Sequence, residues 1–159
     1  MAIRSAAKAI LLHRGKILVN RCRTEHGEVY YDLPGGGQNQ YEPMEDAVVR
    51  EVLEETGYRV KVVRLAAIAE EIYDDPGLRE RFPDYAHRIS HIFLVRLMDE
   101  TPAACSEPDW QQEESIWLSL READRVPFLP KQLTGRIAQL TGSDSPQYLG
   151  CVQMRGQVF

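Results

Sequence analysis

The chain lacks the sequence features that are typical of membrane proteins, of disulfide-bonded exported proteins and of nucleic-acid-binding proteins. None of its apolar runs approaches the roughly 18 residues of a membrane span, and the N-terminus has no long apolar run with a cleavage signal. Its three cysteines are widely spaced and form no CxxC pair, which predicts reduced thiols in a cytoplasmic protein. Lys and Arg do not cluster into a nucleic-acid-binding face, so we expect no nucleic-acid partner and no membrane partner.

Negative charge is concentrated in one short segment. Six acidic residues and one arginine lie between Glu42 and Gly57, and together they carry the whole formal net charge of −5 of the 159-residue chain. The remaining residues sum to zero, so the protein is neutral apart from this segment. The length and composition are those of a single domain, residues 1–159, with a real core.

Apolar patterning and breaker residues predict a mixed α/β (α+β) chain. A β-hairpin of Ala6–Leu12 and Lys16–Arg23 is followed by a short strand, Tyr30–Leu33, and a glycine-rich breaker. A helix is expected between Pro43 and Gly57. Later strands are expected in Arg59–Ile72 (one or two), His87–Met98 and Ser115–Leu118, helices in Ser119–Arg125 and Lys131–Leu140, loops in Tyr73–Tyr85 and Asp99–Asp109, and a weakly patterned tail from Thr141.

The predicted helix gathers acids where its own electrostatics disfavour them. Glu51, Glu54 and Glu55 share a helical face, repel one another and lie near the negative end of the helix dipole. A hard divalent cation, Mg²⁺ or Mn²⁺, would compensate, and no Cys or His accompanies these acids. Arg50 is placed to orient Glu54. The competing interpretation is a solvated helix face, but Lys is absent from the helix and the acids lie at its unfavourable end.

These residues form a longer pattern, Gly36, Glu42 and then Arg50-Glu51-Val52-Leu53-Glu54-Glu55-Thr56-Gly57-Tyr58. The pattern resembles the Nudix box, G-x5-E-x7-R-E-U-x-E-E-x-G-U, with all of its fixed residues present; Tyr58 replaces the usual aliphatic residue. The resemblance is to MutT-like Nudix hydrolases. It implies the Nudix fold, a mixed β-sheet between helices in which the box forms a loop-helix-loop.

The resemblance also implies a chemistry and a set of roles. Nudix hydrolases cleave nucleoside diphosphates linked to another moiety, and Mg²⁺ or Mn²⁺ bridges the acids and the pyrophosphate. Glu51, Glu54 and Glu55 are the implied metal ligands, although Glu51 could instead polarise the attacking water. Arg50 orients the acids. The implied lesser roles are close approach of the backbone and unusual dihedral angles at Gly36 and Gly37, a structural role for Glu42 and helix termination for Gly57.

Further candidates lie outside the box. Glu114, preferred slightly over Glu113, resembles the additional metal-binding acid that family members carry before a strand tryptophan, and an exposed acidic loop is the alternative. Glu70, Glu71, Asp74 and Asp75 are weaker candidates for water activation. Tyr73, Phe82 and Tyr85 could stack a base, and His87 and His91 could contact substrate, but ordinary packing competes in each case.

Two functions from different classes compete at this stage. The first is a Mg²⁺-dependent Nudix pyrophosphohydrolase, and the second is a Nudix-fold module that senses a nucleotide without hydrolysing it. A sensor would be expected to lose acids from the box, and here none is lost. The box does not select the substrate, which could be a nucleoside triphosphate, ADP-ribose, a nucleotide sugar or a dinucleoside polyphosphate. A homodimer is compatible with the resemblance.

Overall fold

The computed structural model describes residues 3–105 and 111–155. In this part of the chain a mixed sheet is flanked by helices on both faces, which confirms the predicted fold class. The strands are β1 Arg4–His13, β2 Lys16–Arg23, β3 Val29–Asp32, β4 Gly35–Gly37, β5 Val60–Tyr73, β6 His87–Leu97, β7 Gln112–Ser119, β8 Phe128–Leu129 and β9 Gln147–Met154. The helices are α1 Met44–Thr56, α2 Pro76–Arg81, α3 Leu120–Ala123 and α4 Ile137–Gly142, with a 3-10 turn at Lys131–Leu133.

Strand β1 occupies the centre of the sheet and changes partner along its length. The order is β8-β3-β2-β1-β6-β5-β9, with β4 paired to β1 and β7 paired to β2. The first half of β1 pairs with β4 through Ala6–Lys8, and its second half pairs with β2 through Leu11–His13. The β1–β6, β5–β9 and β3–β8 pairs are parallel. The change of partner brings the glycine strand β4 against the middle of the sheet.

Two apolar cores lie on the two faces of the sheet. On one face α1 buries Ala47, Val48 and Val52, which follow helical spacing, against strand residues such as Leu11 and Val95. On the other face Phe128, Leu133, Ile137 and Leu140 pack with Ile10 and Ile92. Helix α1 is therefore fixed to the sheet by its apolar stripe, and its acidic face is left for other contacts.

The predicted hairpin and the predicted acidic helix are both confirmed. Arg14 and Gly15 have positive φ angles of 49° and 75°, as a two-residue hairpin turn requires. Helix α1 ends at Gly57, whose φ is 75° and whose N–H donates to the Leu53 carbonyl at 2.9 Å. A side chain at Gly57 would place its Cβ 2.0 Å from the Ala103 carbonyl oxygen, so only glycine fits this position.

Two expectations for the other segments are wrong, and the tail, for which the weak pattern predicts no element, contains a strand. Tyr73–Tyr85 contains helix α2, because Asp75 caps the helix by accepting from the Leu78 N–H at 3.0 Å and Pro76 occupies its first turn. The Lys131–Leu140 helix is divided at Gly135, which has a φ of 73°. The tail forms β9, a strand parallel to β5.

The remaining expectations are close to the structure. Arg59–Ile72 is one continuous strand, β5, with two register shifts against β6. Part of the predicted loop Asp99–Asp109 lies outside the described residues. The three cysteines are free thiols, with Cys22 buried. None of the described helices is both long and apolar enough to cross a lipid bilayer.

Candidate active site

A cavity of about 530 Å³ opens between α1, β4 and the ends of β1, β3 and β6. One wall carries three of the four glutamates of α1, and basic side chains from the strands line the same space. The acidic lining residues are Asp32, Glu51, Glu54, Glu55 and Glu71, and the basic ones are Arg4, Lys8, Arg50 and Arg88. A cavity with nearly balanced charge of both signs suits a polyanion that arrives with cations.

Glu55 is more deeply buried than Glu51 and Glu54, with only 6% of its surface exposed. Its Oε2 accepts hydrogen bonds from the Asn20 side-chain amide at 2.9 Å and from the Gly35 N–H at 3.0 Å. Asn20, itself buried, is held by the Ser115 hydroxyl, which donates to Asn20 Oδ1 at 2.8 Å. Strands β2, β4 and β7 therefore fix the position of this carboxylate.

Arg50 connects three other acids of the segment, Glu42, Glu51 and Glu54. It donates to both oxygens of Glu42 at 2.7 and 2.9 Å and to the Gly37 carbonyl at 3.0 Å. Its Nη1 donates to Glu51 at 2.8 Å and to Glu54 at 3.1 Å. This bonding raises the pKa of Arg50 and, together with the Asn39 N–H, lowers the pKa of Glu42 to about 2. The structural role expected of Glu42 agrees with these contacts.

The three glycines of β4 make room for different neighbours. A Cβ at Gly36 would lie 2.4 Å from Glu51 Oε2, so the missing side chain makes room for this carboxylate. A Cβ at Gly37 would lie 2.9 Å from the guanidinium of Arg4. The prediction of unusual dihedral angles at Gly36 and Gly37 is wrong, because the positive φ, 136°, belongs to Gly35. There, the backbone must pass over the Ala7 carbonyl, which a Cβ would meet at 2.1 Å.

The donor set of the acidic wall fits a hard divalent cation. Glu51, Glu54 and Glu55 offer carboxylate oxygens, and neither His nor Cys lines the cavity among the described residues. In the conformation described, no three His, Cys, Asp or Glu side chains of residues 3–105 and 111–155 are gathered closely enough to hold an ion. Arg50 Nη1 hydrogen-bonds to Glu51 Oε1 and to Glu54 Oε2 in this conformation. An ion bound through these two oxygens would compete with this guanidinium.

The wall across from α1 is built from ion pairs. Lys8 Nζ lies 2.7 Å from Asp32 Oδ2 and donates to the Gly35 carbonyl at 2.8 Å. Arg88 Nη2 donates to Glu71 Oε2 at 2.9 Å, and burial raises the pKa of Glu71. Both pairs face the cavity from the sheet.

Sequence reasoning missed most of this wall. Its residues come from separate strands, so no contiguous motif reveals them. One signal was available, since Arg4, Ala6 and Lys8 alternate along β1 and so share a face of the sheet. The residues missed are Arg4, Lys8, Tyr30, Asp32, Arg88 and Gln111.

The acids proposed outside the box lie at different places. Glu113 bonds to Arg21 and Arg23, and Glu114 is exposed with its carboxylate 3.8 Å from Arg21; neither lines the cavity. The predicted metal role of Glu114 therefore finds no support in its position. Of the weaker candidates, only Glu71 lines the cavity. Glu70 binds His87, Asp74 pairs with Arg155, and Asp75 caps α2.

The aromatic and histidine candidates divide in the same way. Phe82 and Tyr85 line the cavity, and the guanidinium of Arg4 lies 4.6 Å from the centre of the Tyr85 ring. Tyr73 is 1% exposed and packs with Ala86 and Met154, so for this residue the packing alternative is correct and base stacking is ruled out. His87 and His91 do not line the cavity; His87 Nε2 lies 2.6 Å from Glu70 and His91 Nδ1 lies 3.4 Å from the Ala6 carbonyl.

Comparison with known proteins identifies the family. The model of the NUDIX domain matches residues 2–140. The chain belongs to the Nudix hydrolase family, as the box predicts.

Solved structures share the fold. An ADP-ribose pyrophosphatase from Streptococcus suis is 22% identical, with a TM-score of 0.58, over 92% of this chain and 99% of that one. A MutT Nudix hydrolase from Burkholderia pseudomallei is 27% identical, with a TM-score of 0.57, over 76% of this chain and 86% of that one. A UDP-X diphosphatase is 20% identical, with a TM-score of 0.60, over 93% of this chain and 67% of that one.

Proposed function

We propose that this protein is a metal-dependent pyrophosphohydrolase that cleaves a nucleoside diphosphate linked to another moiety by attack of water on phosphorus. The observation that carries the proposal is that Glu51, Glu54 and Glu55 line one cavity together with Arg4, Lys8 and Arg88. Carboxylates alone would repel a pyrophosphate, and basic residues alone would not activate water. Together they suit a polyanion bound through divalent ions.

The chain's own residues have separable tasks in this reaction. Glu55, fixed by Asn20 and Gly35, is a rigid ligand for Mg²⁺ or Mn²⁺, and Glu51 and Glu54 complete the carboxylate set. When bound, such an ion offsets phosphate charge and lowers the pKa of a coordinated water. Arg50 keeps Glu51 and Glu54 at the cavity wall until the ion arrives.

The basic wall positions the substrate. Arg4 and Lys8 lie on the same face of β1 and can take phosphate oxygens, which holds the scissile anhydride against the acidic wall. The gap left by the absent side chain of Gly36 lets the Glu51 carboxylate reach the same space. Displacement at phosphorus depends mainly on such positioning and on charge stabilisation.

The substrate class draws support from the neighbours, which include an ADP-ribose pyrophosphatase and a UDP-X diphosphatase. The proposal covers the whole chain, residues 1–159, as one domain, because β9 lies beyond the matched residues 2–140 and still pairs with β5. A cytoplasmic location fits the three free thiols.

The rival function, a nucleotide sensor without hydrolysis, is disfavoured by the complete set of acids lining the cavity. The two functions differ in one assay. The protein is incubated with ADP-ribose, UDP-glucose, nucleoside triphosphates and dinucleoside polyphosphates, each with Mg²⁺, with Mn²⁺ or with EDTA, in water labelled with ¹⁸O. Metal-dependent release of products with label on one phosphorus supports the enzyme. Metal-dependent binding with no product would identify the sensor instead.

A further inference from the structure

Glu71 holds a buried acceptor at the cavity that the proposed chemistry does not use. The residue is 2% exposed, and its Oε2 accepts from Arg88 at 2.9 Å. Its Oε1 is buried and finds no hydrogen-bond donor among residues 3–105 and 111–155. A buried carboxylate oxygen without a donor is costly, and a ligand that supplies one recovers this cost.

Gln111 provides a buried donor that lines the same cavity. Its Oε1 accepts from the Tyr30 hydroxyl at 2.7 Å, which sets the orientation of the amide. The Nε2 of this amide is buried, and no acceptor reaches it within the described part of the chain. One cavity therefore contains an acceptor that needs a donor and a donor that needs an acceptor.

Flat apolar surfaces accompany these two polar atoms. The rings of Tyr30, Phe82 and Tyr85 line the cavity, and Arg4 lies over the Tyr85 ring. Aromatic rings of this kind stack on planar heterocycles regardless of which base is presented, so they add affinity without selecting among bases. Selection would then come from the hydrogen-bonding atoms.

We propose that Glu71 and Gln111 recognise the nucleobase of the substrate. Glu71 Oε1 accepts from an N–H on the edge of the base, and Gln111 Nε2 donates to an acceptor atom of that base, while the aromatic side chains cover its face. Arg88 holds Glu71 in the receiving orientation. This assignment rests on the proposed function, because it places the base in the cavity whose acidic wall acts on the anhydride.

The charge on Glu71 can be tested with an isosteric change. In Glu71→Gln, Arg88 would take the amide oxygen, so Nε2 would face the donor of the base. We expect kcat/KM for the preferred nucleoside triphosphate to fall about tenfold or more and the ranking of the four bases to change. Ribose 5-triphosphate, which has no base, should be hydrolysed as well by the variant as by the parent.

A matched control lies next to the test residue. Glu70→Gln changes the same residue type on a side chain that bonds to His87 and Tyr148 and does not line the cavity. It should leave the base ranking unchanged. Gln111→Met is a second variant that removes the donor, and it should lower kcat/KM for base-containing substrates only. Thermal melting of each variant identifies any that fails to fold, in which case the other carries the test.

The outcomes separate this inference from the proposed function. Calorimetry with AMP, GMP, CMP, UMP and ribose 5-phosphate measures base recognition without any turnover, so it remains informative if no substrate is hydrolysed. Weaker binding of the preferred monophosphate to folded Glu71→Gln, with ribose 5-phosphate unaffected, supports the assignment. An equal loss on substrates with and without a base would overturn it. An effect confined to ADP-ribose and UDP-glucose would also overturn it, because Glu71 would then contact the second sugar.

Discussion

The buried carboxylate of Glu55 has a structural task in its contacts with Asn20 and Gly35 and a proposed task as a metal ligand, and two substitutions separate the two. Glu55→Ala leaves the Asn20 amide and the Gly35 N–H without their shared acceptor. Each buried donor left unsatisfied costs about 1–3 kcal/mol, and removal of a charge from the negative end of α1 returns about 0.3–1 kcal/mol. We therefore expect the free energy of unfolding to fall by about 2–5 kcal/mol in the absence of metal.

Glu55→Gln keeps an oxygen that can accept both hydrogen bonds. It loses the strengthening effect of the charge but is relieved of repulsion from Glu51, one turn earlier, and from the helix dipole. Because these effects oppose one another, its metal-free stability should lie within about 1 kcal/mol of the parent. Its turnover should nevertheless fall by orders of magnitude, since a neutral amide is a poor ligand for Mg²⁺.

Urea unfolding in EDTA measures both variants, with the midpoint and the slope fitted separately. Glu54→Ala is the matched control, because the Glu54 side chain is 32% exposed and its loss should cost less than about 1 kcal/mol. The reasoning is refuted if Glu55→Ala unfolds within about 0.5 kcal/mol of the parent. Near-normal activity of Glu55→Gln would remove this residue from the metal site.

Three further predictions concern the acidic segment and the glycine strand β4 beside it. Arg50→Lys should lower the free energy of unfolding, measured in urea, by about 2 kcal/mol. The reason is that an ammonium cannot reproduce the hydrogen bonds by which the planar guanidinium joins Glu42, Glu51 and Gly37. A variant as stable as the parent would contradict this. The folded-state pKa of Glu42, about 2, lies below its ordinary value of 4.5. Its contribution to stability is therefore complete above about pH 5 and is lost as the pH falls toward about 2. The free energy of unfolding of Glu42→Gln should decline less steeply than that of the parent over this range, and parallel plots of stability against pH would count against the low pKa. Gly36→Ala should fold but lose activity, because its Cβ displaces the Glu51 carboxylate, whereas Gly35→Ala should be strongly destabilised because its Cβ meets the backbone of β1. Melting temperatures and kcat values of the two variants test this difference. Equal activity of Gly36→Ala and the parent would rule out the displacement.

The local half of the site could be predicted from the sequence because its signals are contiguous. Pro43, the apolar stripe through Val48 and Val52 and the terminal Gly57 fix α1, and the spacing of its glutamates follows from the helix. The box adds the chemistry. The contacts of Glu55 with Asn20 and Gly35 could not be predicted, because they depend on β2 and β4 meeting α1 in space.

The other half of the site depends on strand register. Arg4 lies opposite Arg88 in the parallel β1–β6 pair, and Glu71 lies opposite Arg88 in the β5–β6 pair. These partners are far apart in the chain, and β5 reaches them through two register shifts that no periodic pattern reveals. For Glu114, sequence position alone does not show where the carboxylate lies; in the structure it is exposed and lies 3.8 Å from Arg21.

Helix α2 and strand β9 could not be predicted, for reasons that lie in their own local sequences. Helix α2 is only one and a half turns long, and its apolar content is too small to give a stripe, although Asp75-Pro76 was a readable start signal. Strand β9 contains Gly150 with a φ of 85° and alternates poorly, so its pairing with β5 supplies what its own pattern lacks.

The glycine strand β4 has a consequence for how this protein can diversify. It lies between Glu51 and Glu55 of α1 on one side and residues 6–8 of β1 on the other, so the proposed metal-binding carboxylates are tied directly to the sheet. Phe82 and Tyr85, by contrast, come from the connection between β5 and β6, outside the elements that hold the carboxylates, and this connection meets β1 where Arg4 lies over the Tyr85 ring. Insertions or substitutions in that connection would therefore alter substrate selection without moving the proposed metal-binding carboxylates.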